Sequence, residues 1–176
     1  MATLTVLKFS TPDGADKGLV LMRDLQKQNL IVVQDSAIVT WPKGAKKPKT
    51  KQGASMTGIG ALNGAFWGML FGLLFFIPIF GLAVGAVLGG LAGHFADYGI
   101  DDKFVKEVRQ KVTEGTSALF LLTSNAVEDR VIDAVKKNLG PVDLIASNLS
   151  KEQEDRLKVE FAEEEPVQGT GGQAQS

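Results

Sequence analysis

Side chains capable of nucleophilic or metal chemistry are scarce in this sequence of 176 residues, which contains no cysteine and a single histidine, His94. A disulfide and a thiolate metal site are therefore excluded, and no second histidine is available to activate a serine. His94 lies in a long uncharged stretch, where a proton relay is one role and a neutral histidine at a membrane interface is the simpler one. The sequence predicts no catalytic residue and no metal site.

Three aspartates, Asp97, Asp101 and Asp102, are close enough in sequence to suggest a cation site. They also stand at the start of a predicted helix. Carboxylates there accept hydrogen bonds from free backbone N–H groups and favour the positive end of the helix dipole. We expect these capping roles rather than a bound cation.

A short glycine pattern, Gly58-Ile59-Gly60 followed by Gly64, resembles part of a dinucleotide-binding loop. Such a loop follows a buried strand and needs an acidic residue about 20 positions later for the ribose. Here a lysine-rich segment precedes the glycines, and the next acidic residue is Asp97. We therefore predict no cofactor.

Glycine at four-residue spacing is the most regular pattern in the chain. Each glycine in a soluble helix costs about 1 kcal/mol relative to alanine, so the spacing requires a compensating contact. Small residues at this spacing let helices approach closely in a membrane, either within one chain or between subunits. An amide in the same segment would hydrogen-bond across such an interface or bond the local backbone. The predicted helix-packing and oligomerisation residues are Gly60, Gly64, Gly68, Gly72, Gly81, Gly85, Gly89, Gly93 and that amide, Asn63.

The glycines lie in a segment without charged side chains, which extends from Lys51 to Asp97. Pro78 divides it into two apolar arms, Met56–Ile77 and Ile79–Ala96. As helices these arms would measure about 33 and 27 Å, close to the ~30 Å hydrocarbon core of a bilayer. The pattern predicts a transmembrane helical hairpin. Its turn has no polar side chain, so a crossing and a re-entrant hairpin both stay open, with two arms reaching nearly across favoured.

Basic and aromatic residues flank this hairpin. Lysines next to a membrane segment hold their side in the cytoplasm and attract anionic lipid, at roughly 1 kcal/mol each. Tryptophan and tyrosine are enriched at the membrane interface. The predicted lipid-headgroup contacts are Lys43, Lys46, Lys47, Lys49, Lys51, Trp41 and Tyr98. Because a hairpin returns both its ends to one side, we expect an inner-membrane protein with its α/β domain and both termini in the cytoplasm.

The sequence on each side of the hairpin follows the order strand, helix, strand. LTVLKF (4–9) and LIVVQDSAIVTW (30–41) enclose the first helix, and SALFLLT (117–123) and VDLIASNL (142–149) enclose the second. Two such units commonly form one four-stranded sheet with the helices on one face. We predict an α+β fold, a ferredoxin-like split βαβ…βαβ domain with an inserted glycine-rich transmembrane helical hairpin.

Capping signals delimit the helices of this domain. Thr11 is a candidate cap before Pro12, and Asn125 with Glu128 forms a capping-box pattern. A further helix is predicted over Asp102–Thr113, which connects the hairpin to the second half of the domain. The predicted organisation is 1–42 for the first βαβ half, 43–52 for a lysine-rich linker, 53–97 for the hairpin, 98–149 for the connecting helix and second βαβ half, 150–162 for a helix and 163–176 for a disordered tail.

Several motifs of the hairpin and its flanks form a recognisable set. They are Gly60-Ala61, Gly64-Ala65-Phe66-Trp67-Gly68, Leu70, Gly72-Leu73-Leu74-Phe75, Asp97-Tyr98-Gly99-Ile100-Asp101-Asp102, Gly115-Thr116-Ser117-Ala118-Leu119-Phe120 and Leu149-Ser150-Lys151-Glu152. On these motifs the sequence resembles, over about residues 3–160, an uncharacterised family of bacterial and archaeal membrane proteins, domain of unknown function 1269. The resemblance implies a membrane-associated protein, sometimes described as stress-related, and it supplies no catalytic residues.

These observations favour a membrane-anchored, self-associating structural or scaffolding protein. Its partners would be an anionic lipid bilayer and other copies of itself. Nucleic acid is not expected, because the net charge is −1 and the lysine run lacks interleaved aromatics. Two alternatives stay open: an oligomeric pore or transport protein, and a soluble oligomer whose hairpins share an apolar core that could hold a hydrophobic ligand.

Overall fold

A computed structural model describes residues 2–52, 64–76 and 100–148 of the chain. The strands are β1 (Ala2–Phe9), β2 (Val32–Thr40), β3 (Lys49–Gln52), β4 (Ser117–Ser124) and β5 (Asp143–Asn148), and the helices are α1 (Gly14–Lys27), α2 (Gly64–Phe71), α3 (Asp102–Lys111) and α4 (Glu128–Leu139). A π-helical segment, Gly72–Phe76, continues α2.

The five strands form one sheet in the order β3-β2-β4-β1-β5, and every neighbouring pair is antiparallel. Strands β1 and β2 therefore run in the same direction with β4 between them, as two interleaved split βαβ units require. The predicted α+β class is confirmed. The predicted strands and the helices between them are all present, with their ends shifted by a few residues.

One face of the sheet is covered by α1 and α4. The buried residues of α1, Ala15, Leu19, Met22 and Leu25, are the apolar stripe that helical periodicity indicates. Gly14 and Gly18 let α1 lie close to β1. A Cβ on Gly14 would come within 2.3 Å of the Phe9 Cβ, and one on Gly18 within 2.7 Å of the Phe9 Cζ.

Both predicted helix caps on this face are wrong. The residue before α1 is Asp13, without a side-chain cap, and the hydroxyl of Ser117 on β4 instead accepts from Ala15 N at 2.9 Å. The residue before α4 is Val127, also without a side-chain cap, and Asn125 occupies a left-handed turn at φ 49°. At α1 a tertiary hydrogen bond thus replaces the predicted local cap, whereas α4 begins without a side-chain cap.

The other face of the sheet is covered by α2, the π-helical segment and α3. A cluster of buried side chains joins them to the strands, and its largest members are Phe66, Trp67, Leu70, Phe71, Leu73, Leu74, Ile100, Phe104 and Phe120. Phe71 illustrates the contact, since its ring centroid lies 5.1 Å from that of Phe120 in an edge-to-face arrangement. The first predicted membrane arm therefore forms part of the domain core in its described portion.

The lysine-rich segment contains an edge strand that the sequence does not predict. Residues 49–52 pair with residues 37–40 of β2, and all four side chains of β3 are exposed. Charged residues, lysine above all, are a common device for keeping an edge strand from pairing with another molecule. The predicted linker over 43–52 is thus a loop followed by a strand.

The remaining predicted segments lie wholly or partly outside the described residues. Among the described residues, no helix combines the length and the apolar character that a membrane crossing requires. The second arm, the turn at Pro78, the helix over 150–162 and the tail from 163 lie outside the described residues.

Replacing Phe71 by alanine tests the docking of α2 on the sheet. The Phe71→Ala variant should lose about 3–5 kcal/mol of unfolding free energy, because it leaves a cavity between α2 and β4. Met69, on the same helix, is 36% exposed, so Met69→Ala should cost only about 0.5 kcal/mol. Denaturant unfolding of the full-length protein measures both values. Equal, small losses for the two variants would show that this helix does not pack on the sheet.

Candidate functional site

Helix α2 has two chemically different sides. Phe66, Trp67 and Leu70 are buried against the sheet, whereas Gly68 and Met69 face outward. Within the described residues, a Cβ built on Gly68 or on Gly72 would meet nothing within 4 Å. The glycines are therefore not required for docking on the sheet, and they leave a small-residue surface on the opposite side.

The predicted glycine stripe is only partly within the described structure. Gly64 begins α2, Gly68 lies within it and Gly72 begins the π-helical segment. Their contact with a second helix or a second copy stays a prediction. The other predicted packing residues, Gly60, Asn63, Gly81, Gly85, Gly89 and Gly93, lie outside the described residues.

The π-helical segment ends where the chain continues towards Pro78. π-Helical geometry loosens the regular backbone ladder and is frequent at functional sites. Here the guanidinium of Arg109, on α3, donates to the carbonyl oxygen of Leu73. The contact joins the end of the apolar segment to α3 and brings a cation beside it.

Trp41 fixes the position of the π-helical segment relative to the lysine-rich loop after β2. Its ring meets that of Phe75 edge-to-face, with centroids 6.2 Å apart. Its indole Nε1 donates to the carbonyl oxygen of Ala45 at 2.9 Å. These contacts give Trp41 a role within the domain, and its contact with lipid headgroups stays a prediction. Tyr98, the other predicted interfacial aromatic, lies outside the described residues.

The lysines predicted to contact lipid are all exposed and lie along one edge of the domain. Lys43, Lys46 and Lys47 are in the loop after β2, and Lys49 and Lys51 are on edge strand β3. The loop is held to the turn after α3, because Gly44 N donates to the carboxylate of Glu114. A basic edge therefore lies next to the π-helical segment Gly72–Phe76.

A buried carboxylate, Asp35, connects β2 to α2. The register of β2 shifts between Val33 and Asp35, so these two residues lie on opposite faces although they are two positions apart. Asp35 is 1% exposed; Trp67 Nε1 donates to its Oδ2 at 3.3 Å and Ser36 N to its Oδ1 at 2.8 Å. Burying a carboxylate without such donors is costly in free energy. The hydrogen bond from Trp67 therefore favours one position of α2 on the sheet. An acid inside the apolar run LIVVQDSAIV was the available sequence signal.

The other residues considered for a metal, proton-relay or cofactor site either have structural roles or lie outside the described residues. Asp101 precedes α3, and its carboxylate accepts from Phe104 N at 2.8 Å, which is the predicted capping role. His94, Asp97 and the glycines at 58 and 60 lie outside the described residues. Within the described ranges, no group of three or more metal-ligating side chains is present.

The part of the chain that contains α2, α3 and the second βαβ half corresponds to a known family. The chain belongs to the family described as "Protein of unknown function (DUF1269)", whose model matches residues 61–162. The predicted family resemblance is therefore confirmed over residues 61–162. β1, α1, β2 and β3, which the predicted range of about 3–160 included, precede the matched region. No curated protein and no solved structure matches the chain.

A double-mutant cycle tests the contact between Asp35 and Trp67. Trp67→Phe keeps an aromatic ring but removes a donor to a buried carboxylate, so it should cost about 1–3 kcal/mol of unfolding free energy. In an Asp35→Asn background the same change should cost less, with a coupling energy of about 0.5 kcal/mol or more. Denaturant unfolding of the four proteins measures the cycle. Strictly additive losses would mean that the two side chains do not interact.

Proposed function

We propose that the protein is a membrane-anchored, self-associating structural protein whose ferredoxin-like domain lies on the cytoplasmic surface of the inner membrane. The uncharged sequence between residues 53 and 96 supplies the apolar attachment. The lysine edge, Lys43 to Lys51, supplies the contact with anionic headgroups.

The contact between Trp41 and Phe75 carries this proposal. It brings the end of the described apolar segment beside the loop that contains Lys43, Lys46 and Lys47. A chain that enters a bilayer at this point would bring its lysines to the headgroups without rearrangement of the domain. At roughly 1 kcal/mol for each lysine near an anionic surface, the five together would favour one orientation strongly.

Docking of α2 on the sheet determines which part of the apolar sequence would enter the bilayer. Its bulky side chains contact the strands, so in this arrangement they are not available to hydrocarbon. The apolar sequence after Phe76 would then carry most of the insertion. This division favours a hairpin that is re-entrant or only partly inserted over two complete crossings.

Self-association is the second part of the proposal. Among the described residues, none occupies the space beside Gly68 and Gly72 on α2, which leaves room for another backbone at the four-residue glycine spacing. Either the second arm of the same chain or α2 of another copy would fill it.

A soluble oligomer is the second candidate, and one observation favours it. An apolar insertion that covers its own sheet, as α2 does, needs no bilayer to bury its bulky side chains. Carbonate extraction of membranes separates the two candidates. Recovery in the membrane pellet supports the anchored protein, and a dispersed oligomer in buffer without detergent refutes it.

Paired lysine substitutions test the role of the basic edge. Replacing Lys49 and Lys51 by glutamine should weaken binding to equimolar phosphatidylglycerol and phosphatidylcholine vesicles roughly 30-fold at low salt, which corresponds to about 2 kcal/mol. The control replaces Lys17 and Lys27, whose side chains are 69% and 79% exposed on α1, and should change binding little. Vesicle co-flotation with increasing lipid measures both proteins. Equal effects of the two pairs, or no effect of either, would contradict a specific lysine edge.

Substituting Gly68 by leucine tests self-association through α2. The new side chain meets nothing within the described domain, and leucine favours helix by about 1 kcal/mol over glycine, so the fold should be retained or stabilised. The oligomer should nevertheless dissociate, because the backbones no longer approach each other. The neighbouring change Met69→Leu is the matched control and should leave the assembly intact. Analytical ultracentrifugation reports the outcome, and an unchanged oligomer in Gly68→Leu would exclude this surface.

A further inference from the structure

A cavity of about 400 Å³ lies between α4 and the sheet, on the face opposite to α2. Its volume is in the range of small-molecule sites in proteins, about 300–1,000 Å³. The floor is made by buried residues of the strands and of α1, among them Leu7, Met22 and Leu121. The described helix α2 lies on the other face of the sheet, and the lysines of β3 lie at the opposite edge of the sheet from β5.

The cavity exists because α4 packs along α1 but covers the edge of the sheet incompletely. Its inward residues Val131 and Val135 are only half-buried. At the mouth of the cavity, Ile132 on α4 is 42% exposed and Leu144 on edge strand β5 is 56% exposed. Apolar side chains left to water around a cavity are a favourable surface for an apolar ligand.

Polar side chains at two places in this apolar cavity determine how a ligand would be oriented. Thr3, Thr5 and Thr123 line its floor, and Thr3 and Thr123 are directly paired across β1 and β4. Lys136 lines it from α4, one helical turn after Ile132. Among the described residues that line the cavity, Lys136 is the only ionisable one, so an anionic group is favoured there and a cationic group is not.

We propose that this cavity binds a single-chain fatty acid. The carboxylate pairs with the Lys136 ammonium at the mouth, and the hydrocarbon chain enters between Val135 and Leu7. The threonines stay on the floor, where the Thr123 hydroxyl donates to the Thr3 carbonyl oxygen at 3.4 Å. The inference goes beyond the proposed membrane attachment, because it uses the opposite face of the sheet and different residues.

Photo-crosslinking of the full-length protein in nanodiscs tests this proposal. A dodecanoate bearing a diazirine is the probe, and peptide mass spectrometry locates its adducts. Adducts on residues 121–144 that dodecanoate suppresses, and that dodecyltrimethylammonium and dodecanol do not, are the expected result. Adducts confined to residues 53–96, or equal competition by the cationic or neutral amphiphile, would overturn the proposal.

Two matched pairs of variants complete the test. Lys136→Met should lower the adduct yield at the cavity roughly fivefold, as expected for the loss of one partly exposed ion pair. Lys137→Met, at the adjacent exposed position outside the cavity, should not lower it. Thr5→Phe should abolish the adducts by filling the cavity, whereas Thr50→Phe on the exposed strand β3 should not. Equal yields for Lys136→Met and Lys137→Met would overturn the proposal even if Thr5→Phe fails to fold.

Discussion

The constraint on which the structure depends is that its sheet has two apolar faces. Leu7, Phe9 and Leu121 point to α1 and α4, while Leu4, Val6 and Phe120 point to the other side. An apolar sheet face must be buried against another element. The two βαβ halves supply helices for one face only. Residues 64–76 of the apolar stretch supply α2 and the π-helical segment for the other face, and α3 covers it as well. This described part of the stretch therefore belongs to the fold of the domain.

Because one sheet face needs to be covered, the two sides of α2 and the π-helical segment have different roles. The bulky residues of α2 complete a core that includes Trp67 stacked on Phe71, with ring centroids 5.7 Å apart. The glycines on the other side of the same helix leave a surface for a further helix. The π-helical segment then brings the chain to Trp41 and the lysine loop, which is where the proposed function would have the membrane surface.

Much of the α+β domain could be predicted from sequence, because its elements are amphipathic. The stripe of α1 and the strand–helix–strand order on both sides of the insertion are visible without a structure. The helix caps were not predictable, because Ser117, distant in sequence, replaces a local cap at α1. The bulge that turns Asp35 towards Trp67 has no distinctive residue such as glycine, and β3 is too short and too polar to be recognised as a strand. Docking of α2 was missed because a helix that is apolar all round suits a protein core and a membrane equally well.

The central claim is that Trp67 lies in the interior of the domain and not in hydrocarbon. In a Trp41→Phe background Trp67 is the single tryptophan of the chain, and its fluorescence can be measured in vesicles made with lipids brominated along their acyl chains. Because Trp67 is 2% exposed between α2 and the sheet, its emission should be unaffected by bromine at any depth. Strong quenching by bromine near the bilayer centre would show that α2 leaves the sheet and enters the membrane, and it would contradict this account.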